Sequence, residues 1–327
     1  MDESIIDVRG LKQVFKVSRR EKTGLFSSLK SLIAPKYIYV EAVSDIDLTV
    51  TRGEIRGLIG PNGAGKSTTI KILSGVLYPT AGEVRVMGYT PWLERDEYLR
   101  NIGVVFGQKT QLWWDLPPID TFSLNQKMYR IPKTVFHDNL EYFKDLLGIG
   151  DVITRPTRQL SLGERMKCEL VCAMLHEPKL VFLDEPTIGL DLLSKDTIRQ
   201  FIKQTNRQKN ITFILTTHDL ADIEDLCENV TIINKGAVVY NSTLHKIKTL
   251  ISNKKIVEIK FTKPVTREML ADFQVADFNP LRVIIEIKPE QTGIQTELAK
   301  IISSLPVQDI NINDISIEEV IKQIYRA

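Results

Sequence analysis

The feature that most constrains this chain is the run Gly60-Pro61-Asn62-Gly63-Ala64-Gly65-Lys66-Ser67-Thr68, which opens with a match to G-x-x-x-x-G-K-[ST]. Glycines at this spacing let consecutive backbone N–H groups turn inward and cradle phosphate oxygens. Lys66 can reach the β and γ phosphates, and the Ser67 hydroxyl is a ligand suited to Mg²⁺. The flanks have the required form. Residues 54–59 read as a short apolar strand, and the pattern from Ser67 to Val76 is helical, with Gly75 at its end. A helix starting there adds roughly half a positive charge to the anion site.

Residues 180–183 and 211–216 are apolar, β-branched-rich runs separated by a helical stretch, the alternation expected of a parallel sheet. The first runs into Asp184 and Glu185. Asp184 is placed to bind Mg²⁺, and Glu185 to polarise an attacking water. Together the two motifs define a P-loop NTPase. Elsewhere, residues 5–17 read as one strand and the start of a second, and strand-like runs fill 40–59 around an Arg52-Gly53 turn. A turn at 79–82 precedes a strand at 83–88, residues 102–107 read as a buried strand, and 115–175 is mostly helical. The ATPase unit is expected to span 1–245. Residues 246–327 then read as a small α+β domain, with strands at 255–261 and 281–287 and helices at 291–303 and 316–325.

Leu160-Ser161-Leu162-Gly163-Glu164 resembles the LSGGQ signature of ATP-binding-cassette (ABC) ATPases, and it precedes the 180–185 strand by a short helix. Gln108, after a buried strand, resembles the family's Q-loop. Gly189-Leu190-Asp191 is similar to its D-loop, and His218 to its switch histidine. The resemblance covers about residues 5–245. It implies an α/β P-loop ABC cassette with a RecA-like core, an antiparallel β subdomain and a helical signature subdomain. It also implies ATP and Mg²⁺ as ligands, and two cassettes, here a homodimer, sandwiching two ATPs. In that arrangement Ser161 and the Gly163 N–H of one copy meet the γ-phosphate held by residues 60–68 of the other. His218 contacts the γ-phosphate and attacking water, and Gln108 senses the metal and the partner. The family also stacks an aromatic ring on adenine. Tyr37 and Tyr39 share a face of the predicted strand, either could serve, and Tyr39 is taken as the candidate.

Two residues depart from the family pattern. Leu162 replaces the second glycine, and Glu164 replaces glutamine, although Ser161-x-x-Glu164 also fits a helix capping box. Residues 18–36 lengthen the first hairpin, with an apolar stripe at Leu25, Phe26, Leu29, Leu32 and Ile33 flanked by basic residues. Such a segment suits a membrane surface or a permease, or equally packing on its own domain. A comparable insertion occurs in ABC-2-type exporters. The string FGQKTQLWWDLP, with LSLGE, resembles a bacterial branch of that class. Trp113 and Trp114 lie where ABC proteins receive a permease's coupling helix, and adjacent tryptophans cannot easily both be buried on one face.

The implied function is therefore ATP hydrolysis that powers export through a separate polytopic ABC-2-type permease, from the cytoplasmic face of the membrane. The alternative is a soluble ABC ATPase with a non-transport role. Ribosome-associated types usually carry two cassettes, and chromosome-structuring types carry long heptad coiled coils; neither pattern is present. Lys and Arg total 43 against 41 Asp and Glu, a net +2, so charge gives no case for nucleic acid. The acidic, polar start at Met1-Asp2-Glu3-Ser4 does not read as a signal peptide. No apolar run approaches the roughly 18 residues needed to span a bilayer. Cys168, Cys172 and Cys227 form no C-x-x-C pair and read as buried thiols in a reducing compartment.

Overall fold

The computed structural model describes residues 4–18, 37–107, 109–247, 255–287, 293–314 and 320–321. The apolar stripe within 18–36, Gln108 and most of the expected helix at 316–325 lie outside them. The chain divides into two compact units, Met1–Asn241 and Ser242–Ala327.

The first unit is built on a nine-stranded sheet among the described residues. Its strands are β1 (Ser4–Ser18), β2 (Tyr37–Thr51), β3 (Ile55–Ile59), β4 (Ala81–Val86), β5 (Ile102–Phe106), β6 (Leu180–Asp184), β7 (Thr212–Thr216), β8 (Asn229–Asn234) and β9 (Ala237–Thr243), in the order β4-β1-β2-β9-β8-β3-β7-β6-β5. The half formed by β4, β1 and β2 is antiparallel, whereas β8, β3, β7, β6 and β5 run parallel. The helices are α1 (Lys66–Leu73), α2 (Arg95–Leu99), α3 (Pro118–Met128), α4 (Lys133–Leu147), α5 (Leu162–Met174), α6 (Leu192–Lys209) and α7 (Leu220–Leu226).

The parallel strands are short and apolar on both faces, as crossover helices require. Thr212–Thr216 is buried throughout, and Leu180–Leu183 likewise. The antiparallel strand β2 instead ends in strict alternation of buried and exposed residues. β1 is a single strand, not the strand and a half expected at 5–17. Its register shifts between Val8 and Leu11, where Gly10 takes φ +56° and its N–H bonds Asp47 Oδ1 at 2.7 Å. The glycine is absorbed as an irregularity, which bends the strand without breaking it.

Two glycines set how closely helices lie on the sheet. A Cβ on Gly57 of β3 would stand 2.6 Å from Ile223 Cδ1 of α7, and one on Gly103 of β5 would stand 2.4 Å from the Ala173 carbonyl of α5. Cys168 and Cys172 lie buried on α5 and Cys227 just beyond α7. Burial pushes the Cys168 thiol up to about 12 and raises the other two.

Among its described residues the second unit has a four-stranded antiparallel sheet in the order β11-β12-β10-β13: β10 (Lys255–Phe261), β11 (Val275–Asn279), β12 (Arg282–Ile287) and β13 (Val307–Asp314). Val257, Ile259, Phe261, Val283, Ile285 and Ile287 form its core with Ile301 of α8 (Ile294–Ser304). Sequence patterning assigned no element to β11 or β13, both polar edge strands.

Candidate nucleotide-binding site

Strand β3 delivers the chain into the 60–68 loop, and its close seating needs Gly60. A Cβ there would meet the Ile233 carbonyl of β8 at 2.3 Å. Gly63 and Gly65 take φ +81° and +107°, in the left-handed region where a side chain is costly. A Cβ on Gly63 would meet nothing within 4 Å, so the loop is open there, while Gly65 backs onto the Ala42 carbonyl of β2. Pro61 and Asn62 are exposed, Ala64 is buried and Thr68 is half-buried beneath the loop.

Helix α1 begins with no side-chain cap. In contrast, Ser161, Asp191 and Asp219 cap α5, α6 and α7. The first N–H groups of α1 have no intrahelical partner, which suits an anion at its N-terminus. Lys66 is buried, and its Nζ donates to the Gly60 carbonyl at 2.7 Å and the Pro61 carbonyl at 3.2 Å. Burial holds its pKa below the usual lysine range, and the carboxylates of Glu185 and Asp184 oppose that shift. An ammonium held by carbonyls alone, beside an uncapped helix end and an open glycine turn, fits a polyphosphate.

Parallel pairing of β6 with β7 places Asp184 opposite Thr216. Asp184 Oδ1 accepts from Ser67 Oγ at 3.0 Å and from Thr216 Oγ1 at 2.6 Å. Thr216 also accepts the Glu185 N–H, through its hydroxyl at 3.1 Å and its carbonyl at 3.0 Å. This contact accompanies an uncommon backbone, since Glu185 has φ +55°. Gly107 leaves room for it: a Cβ there would lie 2.6 Å from the Glu185 carbonyl. Glu185 Oε1 stands 3.4 Å from His218 Nδ1, with the imidazole more exposed than the carboxylate. Sequence patterning missed Thr216, whose only mark is its place two residues before His218. A hydroxyl and a carboxylate beside a phosphate cradle are hard oxygen donors, the set that suits Mg²⁺.

Ser161 and Glu164 form a reciprocal capping box. Ser161 Oγ accepts the Glu164 N–H at 3.2 Å, and Glu164 Oε2 accepts the Ser161 N–H at 2.8 Å. Glu164 Oε1 pairs with Arg155 at 2.6 Å. The acidic departure from the family pattern is thus tied to its own helix end and to a cation. Gly163 is buried, and a Cβ on it would stand 2.4 Å from Ser194 Oγ of α6. Leu162 leans toward the Gly189 turn, its Cδ2 3.3 Å from where a Cβ on Gly189 would sit. Asp191 caps α6 through the Ser194 N–H at 2.9 Å. A buried network around Asp222 joins Thr187, Thr217 and Arg199 behind this loop and His218.

The structure therefore brings Lys66, Ser67, Asp184, Glu185 and His218 to one edge of the parallel strands. Among the described residues, no hydrogen bond or ion pair joins Ser161 or Gly163 to the 60–68 loop. Tyr37 and Tyr39 project from one face of β2, and Lys16 Nζ lies 3.9 Å from the Tyr37 ring centroid. Tyr39 is 68% exposed and sits three residues, about 10 Å, along the strand from Ala42 behind Gly65.

Fold and site together define a P-loop ATPase cassette. The ABC transporter family profile matches residues 43–188. The chain is 31% identical over 208 residues to the ABC transporter ATP-binding protein NatA of Bacillus subtilis, covering 64% of this chain and 84% of NatA. It is 29% identical over 246 residues to the bacitracin transport ATP-binding protein BcrA of Bacillus licheniformis, covering 75% and 74% respectively. A solved ATP-binding subunit of an ABC transporter superposes with TM-score 0.61 at 27% identity, over 76% of this chain and 93% of that one. The chain belongs to the family of ABC transporter ATP-binding proteins.

Proposed function

We propose that the chain binds and hydrolyses ATP with Mg²⁺, powering export through a separate polytopic ABC-2-type permease on the cytoplasmic face of the membrane. The observation that carries this reading is the Ser67–Asp184–Thr216 hydrogen-bond set, held beside Lys66 and Glu185.

Lys66 exchanges its Gly60 and Pro61 carbonyl partners for β and γ phosphate oxygens, and the free N–H groups of α1 take the rest of that charge. Ser67 and Asp184 would hold Mg²⁺, which would supply neutralisation of the charge developing on the phosphates. Glu185 polarises the attacking water and takes its proton as the water oxygen bonds the γ-phosphorus; the bond from that phosphorus to the β–γ bridging oxygen breaks, ADP departs, and the proton passes to the released phosphate. His218 orients that water beside Glu185, and Gln108 senses the metal site. Tyr39 stacks on adenine.

A second copy completes each site with Ser161 and the Gly163 N–H, so ATP joins the two cassettes and its hydrolysis releases them. The capping box supports this role, because it directs the Glu164 charge to Arg155. Trp113 and Trp114, 56% and 52% exposed, form the permease surface. Export rather than import is supported by the resemblance of residues 18–36 and the FGQKTQLWWDLP string to ABC-2-type exporters. No helix among the described residues is long and apolar enough to cross a membrane, consistent with a membrane path supplied by another chain.

Affinity capture of the chain from detergent-solubilised membranes tests the assignment. The expected product is a polytopic membrane chain whose recovery falls when Trp113 and Trp114 are both changed to alanine. Capture of ribosomal or chromosomal material without a membrane chain would replace the reading with a non-transport one.

A further inference from the structure

Helix α5 carries a buried carboxylate that hydrolysis does not use. Glu169 is 4% exposed, eight residues or about 12 Å along the helix from Ser161. A carboxylate that leaves water needs donors to replace it, and here they come from the segment leading to the tryptophans. The Thr110 hydroxyl donates to Oε1, and the Gln111 N–H donates to Oε1 at 3.1 Å and Oε2 at 3.3 Å. The Gln111 side-chain amide donates to the Glu169 carbonyl at 3.4 Å, and Thr110 Oγ1 accepts the Leu112 N–H at 3.1 Å. Burial pushes the Glu169 carboxyl up, and the bonds from Thr110 and Gln111 oppose that shift.

The other end of the segment is fixed to the residues just ahead of Ser161. The Arg158 N–H donates to the Trp114 carbonyl at 2.9 Å, and Thr157 donates to the Leu116 carbonyl through its N–H at 3.0 Å and its hydroxyl at 2.8 Å. Arg158 also pairs with Asp115 at 2.9 Å, and the Arg165 guanidinium lies 5.8 Å from the Trp114 ring centroid. Trp113 and Trp114 therefore stand exposed between two attachments to the same signature element.

We propose that Glu169 is a positioning residue that clasps the 110–112 segment to the signature helix, so that the Trp113 and Trp114 surface and Ser161 move as one piece. A partner pressing on the tryptophans then resets the signature, and the state of the signature is presented to the partner. The inference rests on the reading of Trp113 and Trp114 as the permease surface.

The test compares ATPase rates of the full chain alone and reconstituted with the membrane chain that co-purifies with it. Glu169→Gln keeps shape but loses the charge, and Thr110→Val removes one donor from the opposite side. For Glu169→Gln the basal rate is unchanged, while stimulation by the membrane chain falls about tenfold, the scale of one charge-assisted hydrogen bond. Thr110→Val moves the same way by less, and decides the matter if the Glu169 variant does not fold. Stimulation equal to wild type overturns the clasp and leaves the permease reading standing. Parallel loss of basal and stimulated rates also overturns it, by showing a merely structural carboxylate. If no membrane chain co-purifies with the wild type, the permease reading fails and the clasp fails with it.

Discussion

Glu164 shows how a single residue can look wrong in sequence and be explained by geometry. An acid beside the phosphate contact proposed for Ser161 would be unfavourable in isolation. Here its oxygens accept the Ser161 N–H and the Arg155 guanidinium, and the Ser161 bond is the main reason its pKa lies below the ordinary 4.5. A carboxyl depressed on folding stabilises the protein above its unfolded pKa, and that contribution is lost as pH falls through the folded value. Glu164→Ala is therefore expected to lower stability by about 1 kcal/mol at pH 7, the usual scale of a lost cap. The gap from wild type should close as pH drops below about 4.5, because protonation removes the wild type's advantage. Denaturant midpoints across that range check it, and a gap that widens in acid would contradict the assignment. Thr216 is the complementary case. Its hydroxyl bonds both the Asp184 carboxylate and the Glu185 amide, yet one threonine in a β-branched strand is indistinguishable in sequence from a packing residue.

At the level of elements, placement of the signature depends on how closely α5 lies on β5. Gly103 leaves no space for a methyl, since a Cβ would sit 2.4 Å from the Ala173 carbonyl, a backbone atom that cannot rotate aside. Gly103→Ala should cost about 1–3 kcal/mol as overpacking. This would appear as a lower denaturant midpoint at unchanged slope, and a midpoint equal to wild type would show that α5 can retreat freely. The short parallel strands, α1 and the signature helix were legible because motif and periodicity coincide: β3 runs into the glycine loop, and β6 ends in Asp184 and Glu185. The continuity of β1 through Gly10 was not, because a glycine absorbed as a strand irregularity and one that ends a strand look alike in sequence. The edge strands β11 and β13 escaped for another reason. Val307–Asp314 intersperses Asp and Asn with its apolar residues, and polar edge residues dilute the apolar pattern of a strand. The Glu169 contacts with Thr110 and Gln111 link positions about sixty residues apart, which no local pattern encodes.

At the scale of the whole molecule, the proposed composite site draws both of its halves from one chain: the 60–68 loop with Asp184 and Glu185 on one side, and Ser161 with Gly163 on the other. Among the described residues of the Met1–Asn241 unit, no hydrogen bond or ion pair joins those halves. Leu162, the other departure from the family pattern, packs toward the Gly189 turn and leaves the Ser161 hydroxyl and Gly163 backbone in place. The measurement that tests this most directly is ATP turnover and molecular mass of the Glu185→Gln chain with Mg²⁺ and ATP. Turnover should fall by about 10²- to 10⁴-fold, the usual contribution of a positioned general base. The protein should meanwhile run at twice its monomer mass with unhydrolysed ATP retained. Turnover at the wild-type rate, or a chain that binds ATP and stays monomeric, would contradict a site shared between two cassettes.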